Sequence, residues 1–149
     1  ARWKEPWLCH RKSATAGKSA PSSADTSGES TAEKEMRFVE MTLQGVRVHY
    51  EIGGHGERKV VLLHGWGCSE KLMAGISDAL TPDMTVLRVD FPAHGESGFP
   101  PQPWGVPDFA ANLLELLTKL DFLPCSVIAH SFGGRVAIEL AADHPERFE

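Results

Sequence analysis

The sequence predicts an α/β chain, a mostly parallel sheet with helices on both faces. Three stretches carry that expectation. Lys59-Val60-Val61-Leu62-Leu63 is a short apolar run typical of a buried parallel strand, and residues 69–80 follow it with Leu72, Met73, Ile76, Ala79 and Leu80 at helical spacing. Thr85-Val86-Leu87-Arg88-Val89-Asp90 repeats the pattern, with a loop and then a helix after it. Val127-Ile128-Ala129 runs into a third helix with almost no loop. Strand, loop and helix recurring in this way build a βαβ series.

The elements follow in order. Residues 1–35 are rich in Ser, Thr, Ala and Lys and lack aliphatic periodicity. Such a segment buries too little apolar surface to offset its ordering entropy. We read it as a disordered or non-native tail, translated non-coding sequence or a cloning remnant, with Trp3, Trp7 and Cys9 unusual within it and Met36 the true start of a domain over 36–149. Residues 37–43 and 46–52 alternate as two strands, and Gln44-Gly45 is a hairpin-like turn between them. Residues 53–56 are a loop. Ser69 is a plausible N-cap for the first helix.

Residues 99–105 form a rigid, Pro-rich loop. Pro107 and Asp108 suit the first turn of the next helix, whose apolar stripe is Phe109, Leu113, Leu116, Leu117 and Leu120. That stripe is core packing. In the last helix Phe132, Val136, Ala137, Leu140 and Ala141 share a face, and Pro145 closes it.

Composition narrows the function. The 149 residues suffice for one domain with a sizeable core. A formal charge of −5, with no basic patch among aromatics, argues against nucleic acid. No apolar stretch is long enough to span a membrane. Cys9, Cys68 and Cys125 are an odd number at unrelated spacings, which points to a reducing, cytoplasmic setting without structural disulfides, Cys125 being a small buried residue. No His, Cys or carboxylate spacing suggests a metal, and no cofactor is expected.

The chemistry sits at Ala129-His130-Ser131-Phe132-Gly133-Gly134. A strand running into a serine between small residues, with a helix at once behind it, presents the hydroxyl on a tight, strained turn. Residues two before and two after must be small, and here they are Ala129 and Gly133. A serine is a weak nucleophile at neutral pH. It needs a base and donors for the developing oxyanion, and a helix N-terminus favours negative charge. Alone, the motif fits a Gly-rich capping turn equally well. A second motif decides between them. His64-Gly65-Trp66-Gly67 ends the 59–63 strand, and Gly65 and Gly67 let the backbone bend so that the Trp66 N–H can be aimed into a site.

With Asp90-Phe91-Pro92-Ala93-His94-Gly95-Glu96-Ser97-Gly98 between them, these landmarks occur in the order found in α/β-hydrolases, and the chain resembles the N-terminal part of that family over 36–149. Ala93 stands where the family's common D-x-x-G-x-G-x-S form has its first Gly, and Ala129 where G-x-S-x-G has its own. The resemblance implies Ser131 as nucleophile and the N–H groups of Phe132 and Trp66 as oxyanion donors. It implies supporting roles for His64, Gly65, Gly67, Gly133 and a structural Asp90. His64 is expected to brace the oxyanion loop, His130 to point away from Ser131, and His94 to meet solvent.

The implied reaction is hydrolysis of a small-molecule ester, thioester or amide through an acyl-enzyme, esterase chemistry with no partner but the substrate. Serine at the elbow disfavours the dehalogenase and epoxide-hydrolase branches, which use aspartate. A C–C bond hydrolase or cofactor-free lyase on the same fold, and a non-catalytic binding protein, are the alternatives. The resemblance also implies strand order 1-2-4-3-5, an open edge on the strand at 126–129, and a fold truncated after the elbow helix. On that reading the triad acid and histidine lie beyond Glu149, and this fragment alone is weak or inactive.

Overall fold

A computed structural model describes residues 37–149; the predicted tail at 1–35 lies outside the described residues. Five strands form one sheet: β1 (Arg37–Leu43), β2 (Val46–Gly53), β3 (Lys59–Leu63), β4 (Thr85–Val89) and β5 (Ser126–Ala129). Three α-helices accompany them: α1 (Ala74–Leu80), α2 (Val106–Lys119) and α3 (Phe132–Asp143). Single 3-10 turns at Glu70–Met73 and Pro145–Arg147 precede α1 and follow α3.

The strand order is β1-β2-β4-β3-β5, the order the resemblance implied. The sheet is mixed. β1 with β2 and β2 with β4 are antiparallel, while β3 pairs in parallel with both β4 and β5. The β1–β2 hairpin turns on Gln44 at φ 49° and Gly45 at φ 77°, the two positive values a tight hairpin needs.

Alternation along the central strands sends side chains to two cores. Val61, Leu63, Leu87 and Val89 face α2 and α3 and join Phe109, Leu113, Leu116, Leu117, Val136 and Leu140. Val60, Leu62 and Val86 face the other way, onto Met73 and Leu80. Each Leu removed from water in this way contributes about 2 kcal/mol before entropy is charged against it.

The α2 stripe is buried as expected, with Leu120 half-buried at its end. Gly105 caps α2 by donating its N–H to Asp108 Oδ2 at 2.8 Å. The α3 face differs at one point. Ala141 is exposed, and Gly133 takes the innermost place.

The first helix departs further from expectation. Leu72, Ile76 and Ala79 are exposed, while Glu70, Met73, Ser77 and Thr81 are buried. The rotation follows from polar anchors. The Glu70 N–H donates to Asp90 Oδ1 at 2.7 Å, and the Glu70 carboxylate turns inward to Arg88 of β4, 3.3 Å away. Nor does Ser69 cap through its hydroxyl.

The β5 edge is not wholly open. Chain returning after α3 pairs in parallel with its start, Cys125 donating to Arg147 O at 3.2 Å and Glu149 to Cys125 O at 3.3 Å. Ile128 further along remains exposed.

Candidate active site

Three turns converge at the C-terminal ends of the parallel strands: 64–69 after β3, 90–98 after β4, and 130–132 between β5 and α3. β3 is the centre of the parallel region, so the turns that leave it and β5 lie side by side. His130 N–H extends the ladder to Leu63 O at 2.9 Å, and one residue later the chain reverses into α3. Ser131 takes φ 51° and ψ −108° at the α3 N-cap, a conformation a non-glycine residue holds at a cost of about 1–3 kcal/mol. Its side chain is exposed.

The reversal is locked from behind. Gly133 donates to His64 O at 3.1 Å and His130 O at 3.0 Å, and Gly134 donates to Ser131 O at 3.0 Å. A Cβ on Gly133 would stand 2.8 Å from both His64 O and Leu63 Cβ, so only glycine fits. Gly65 is held as closely. A Cβ there would meet His130 Nδ1 at 2.8 Å and Ser131 Cβ at 3.4 Å. The 64–69 turn and the Ser131 turn are thus in contact through glycine backbone. Gly67 at φ +71° reverses the first of them, closed by Cys68 N–H to Gly65 O at 3.2 Å. Within the described residues the N–H groups of Trp66 and Phe132 make no hydrogen bond.

His64 is fully buried. Phe91 N–H donates to its Nε2 at 3.1 Å, which leaves Nδ1 as the protonated nitrogen, donating to Gly65 O at 2.8 Å. Burial pushes its pKa down, so the ring is a neutral strut between the first turn and the second.

Asp90 is equally enclosed. Oδ1 accepts from Glu70 N–H, and Oδ2 accepts from Glu96 N–H at 2.8 Å and from His49 Nδ1 at 3.1 Å. Its main chain joins in, with Ser97 Oγ donating to Asp90 O at 2.7 Å and His49 N–H donating to Ser97 Oγ at 2.8 Å. A Cβ on Gly95 would fall onto the Asp90 carboxylate. Both carboxylate oxygens are thus engaged, tying the start of the first helix, the 90–98 loop and β2 together.

Sequence reasoning missed several participants. His94 was expected in solvent but is 7% exposed. It belongs to an aromatic cluster with Trp66, Phe91, Phe109 and Phe132 whose ring centroids are 4.9–6.5 Å apart, mostly edge to face. Trp66 caps this cluster with two-thirds of its surface exposed. His49 and Glu70 were not singled out because their partner, Asp90, is distant in sequence. The signal was in the β2–β4 register, which pairs Tyr50 with Val89 and so brings His49 beside Asp90.

Among the described residues no group of three or more His, Cys, Asp or Glu could hold a metal, and no helix is long and apolar enough to cross a membrane. Cys68 and Cys125 are free thiols.

A sequence profile of the alpha/beta hydrolase family matches residues 60–147, more than half of the chain. The chain belongs to the alpha/beta hydrolase family. Within that family it is 32% identical over 111 residues to a poly(3-hydroxyalkanoate) depolymerase of Ectopseudomonas oleovorans, covering 74% of this chain and 39% of the relative. It is 34% identical over 90 residues to a pimeloyl-[acyl-carrier protein] methyl ester esterase of Neisseria meningitidis, covering 60% and 33%. Among solved alpha/beta hydrolase structures, the epoxide hydrolase CorEH superposes with a TM-score of 0.73 at 30% identity, over 77% of this chain and 40% of that one. The chain therefore spans about two fifths or less of the length of these relatives.

Proposed function

We propose that this chain carries the nucleophile and oxyanion donors of a serine hydrolase acting on a small-molecule ester, thioester or amide. The observation that carries the reading is the conformation of Ser131. An exposed serine at φ 51° and ψ −108° between a parallel strand and a helix N-terminus has its hydroxyl thrust outward and the α3 dipole behind it. Two uncommitted N–H groups, of Trp66 and Phe132, flank it on adjoining turns.

In this mechanism Ser131 Oγ gives its proton to a base and attacks the substrate carbonyl carbon. The carbonyl oxygen becomes an oxyanion held by the Trp66 and Phe132 N–H groups. The leaving group departs with a proton, and water releases the acid from the acyl-serine. Asp90 is not the acid partner of this cycle, because its buried oxygens already accept from Glu70 N–H, Glu96 N–H and the His49 ring. Serine in place of aspartate favours acyl transfer over epoxide opening. The named activities of two relatives, a depolymerase and a methyl ester esterase, agree with an ester substrate. The free thiols Cys68 and Cys125 support a reducing, cytoplasmic setting.

The test is turnover of para-nitrophenyl butyrate by the protein expressed from its complete reading frame. Ser131→Ala should lower kcat by about 10³-fold or more with KM little changed. Undiminished turnover by that variant would remove the serine from the reaction.

A further inference from the structure

We infer that His94 is a positioning residue that sets the spacing of the two proposed oxyanion donors. The inference rests on the serine-hydrolase reading of Ser131, Trp66 and Phe132. It comes from where one imidazole sits. The His94 ring lies 4.9 Å from Trp66, at 80° to it, and 6.4 Å from Phe132, at 17°. Those two residues carry the uncommitted N–H groups, and their own rings are 5.1 Å apart. On a third side His94 lies 5.4 Å from His64, the strut under the first turn. One ring from the β4–α2 loop therefore touches both donor turns and the support of one of them.

A ring can set a distance only if it is itself held. His94 Nδ1 donates to Pro92 O at 2.9 Å, its N–H donates to Phe91 O at 2.9 Å, and its carbonyl accepts from Ser97 N–H at 3.0 Å. Ser97 and Glu96 are in turn tied to Asp90. The rigidity of the Asp90 loop thus passes through His94 to Trp66 and Phe132. Hydrogen bonds at Gly65, Gly133 and Gly134 close the two turns, and His94 adds a ring contact shared by both donor residues. The first contains Gly65 and Gly67, and the side chain of Trp66 is mostly in solvent. Oxyanion stabilisation is steep in donor placement, so a shift of under an ångström at either amide should appear in kcat and leave ground-state binding nearly intact.

Ring shape, not the titratable nitrogen, does this work. His94→Phe keeps the wedge and loses the bond to Pro92. His94→Asn keeps a donor for Pro92 and loses the wedge. His94→Ala loses both. The experiment compares the three by kcat and KM on para-nitrophenyl butyrate and, without need of turnover, by the backbone amide resonances of Trp66 and Phe132. In His94→Ala and His94→Asn, kcat should fall about 10²-fold with KM within about twofold, and His94→Phe should recover most of it. The Trp66 and Phe132 resonances should move in the first two variants and return in the third. The inference is overturned if both resonances stay in place in folded His94→Ala or His94→Asn. It is equally overturned if His94→Asn works as wild type while His94→Phe does not. Should Ser131→Ala retain turnover, the serine reading fails, and the amide comparison still judges His94.

Discussion

Ala93 sits at φ 66° with its side chain in solvent, in the place where the family pattern has glycine. An L-residue pays about 1–2 kcal/mol for the left-handed region, and glycine gives back part of that in unfolded-chain entropy. Ala93→Gly should therefore stabilise the protein by roughly 0.5–1 kcal/mol, a rise in Tm of about 2–4 °C. An unchanged or lower melting temperature would contradict the strain assigned there. The sequence marked this residue as a departure, and the structure supplies its cost. Ser131 was legible for the same reason, since small neighbours at 129 and 133 announce a turn too tight for side chains. His94 was not. Its burial depends on rings from residues 64, 66 and 132, which no local pattern brings together.

At the scale of elements, the polar layer beneath the first helix is where expectation and structure part. Glu51 of β2 stands opposite Arg88 of β4 in the antiparallel register and is hydrogen-bonded to it, and Glu70 approaches the same guanidinium. All three are buried. Of the expected stripe Leu72, Met73, Ile76, Ala79 and Leu80, only Met73 and Leu80 turn inward; apolar spacing is visible in sequence while a buried cation opposite is not. β3 and the α2 stripe were read correctly because nothing but apolar burial sets their orientation. Arg88→Met leaves Glu51 and Glu70 buried without their counter-charge and should cost about 3–5 kcal/mol by urea denaturation. A loss below ~1 kcal/mol would place these carboxylates in solvent instead.

Across the whole molecule, two buried groups pull the pH dependence in opposite directions. Burial lowers the pKa of His64 below its ordinary value of 6.5, so the unfolded chain takes up the proton first and stability is lost as pH falls below 6.5. Glu70 is raised above 4.5 by burial and by Asp90, so its ionised form is penalised and falling pH relieves the penalty. As pH falls below 6.5 the wild type should lose unfolding free energy, and Glu70→Gln should lose more of it on the acid side, where the compensating gain from Glu70 protonation is gone. A flat profile in both proteins would contradict the neutral, buried state of His64.

The strand order was legible only through ordered motifs. Apolar runs say that strands exist, whereas H-G-W-G, D-F-P-A-H-G-E-S-G and A-H-S-F-G-G in succession say how they are arranged. Pairing at residues 147–149 against Cys125 had no such marker.

The central claim is that Ser131 is a nucleophile, and an alkyl fluorophosphonate tests it most directly. The protein from its complete reading frame would be treated with the probe and digested, and the adduct mapped by mass spectrometry. The account predicts stoichiometric phosphonylation on the peptide containing Ser131 and none in Ser131→Ala. A folded protein left unlabelled at Ser131, or labelled equally in the alanine variant, would contradict it.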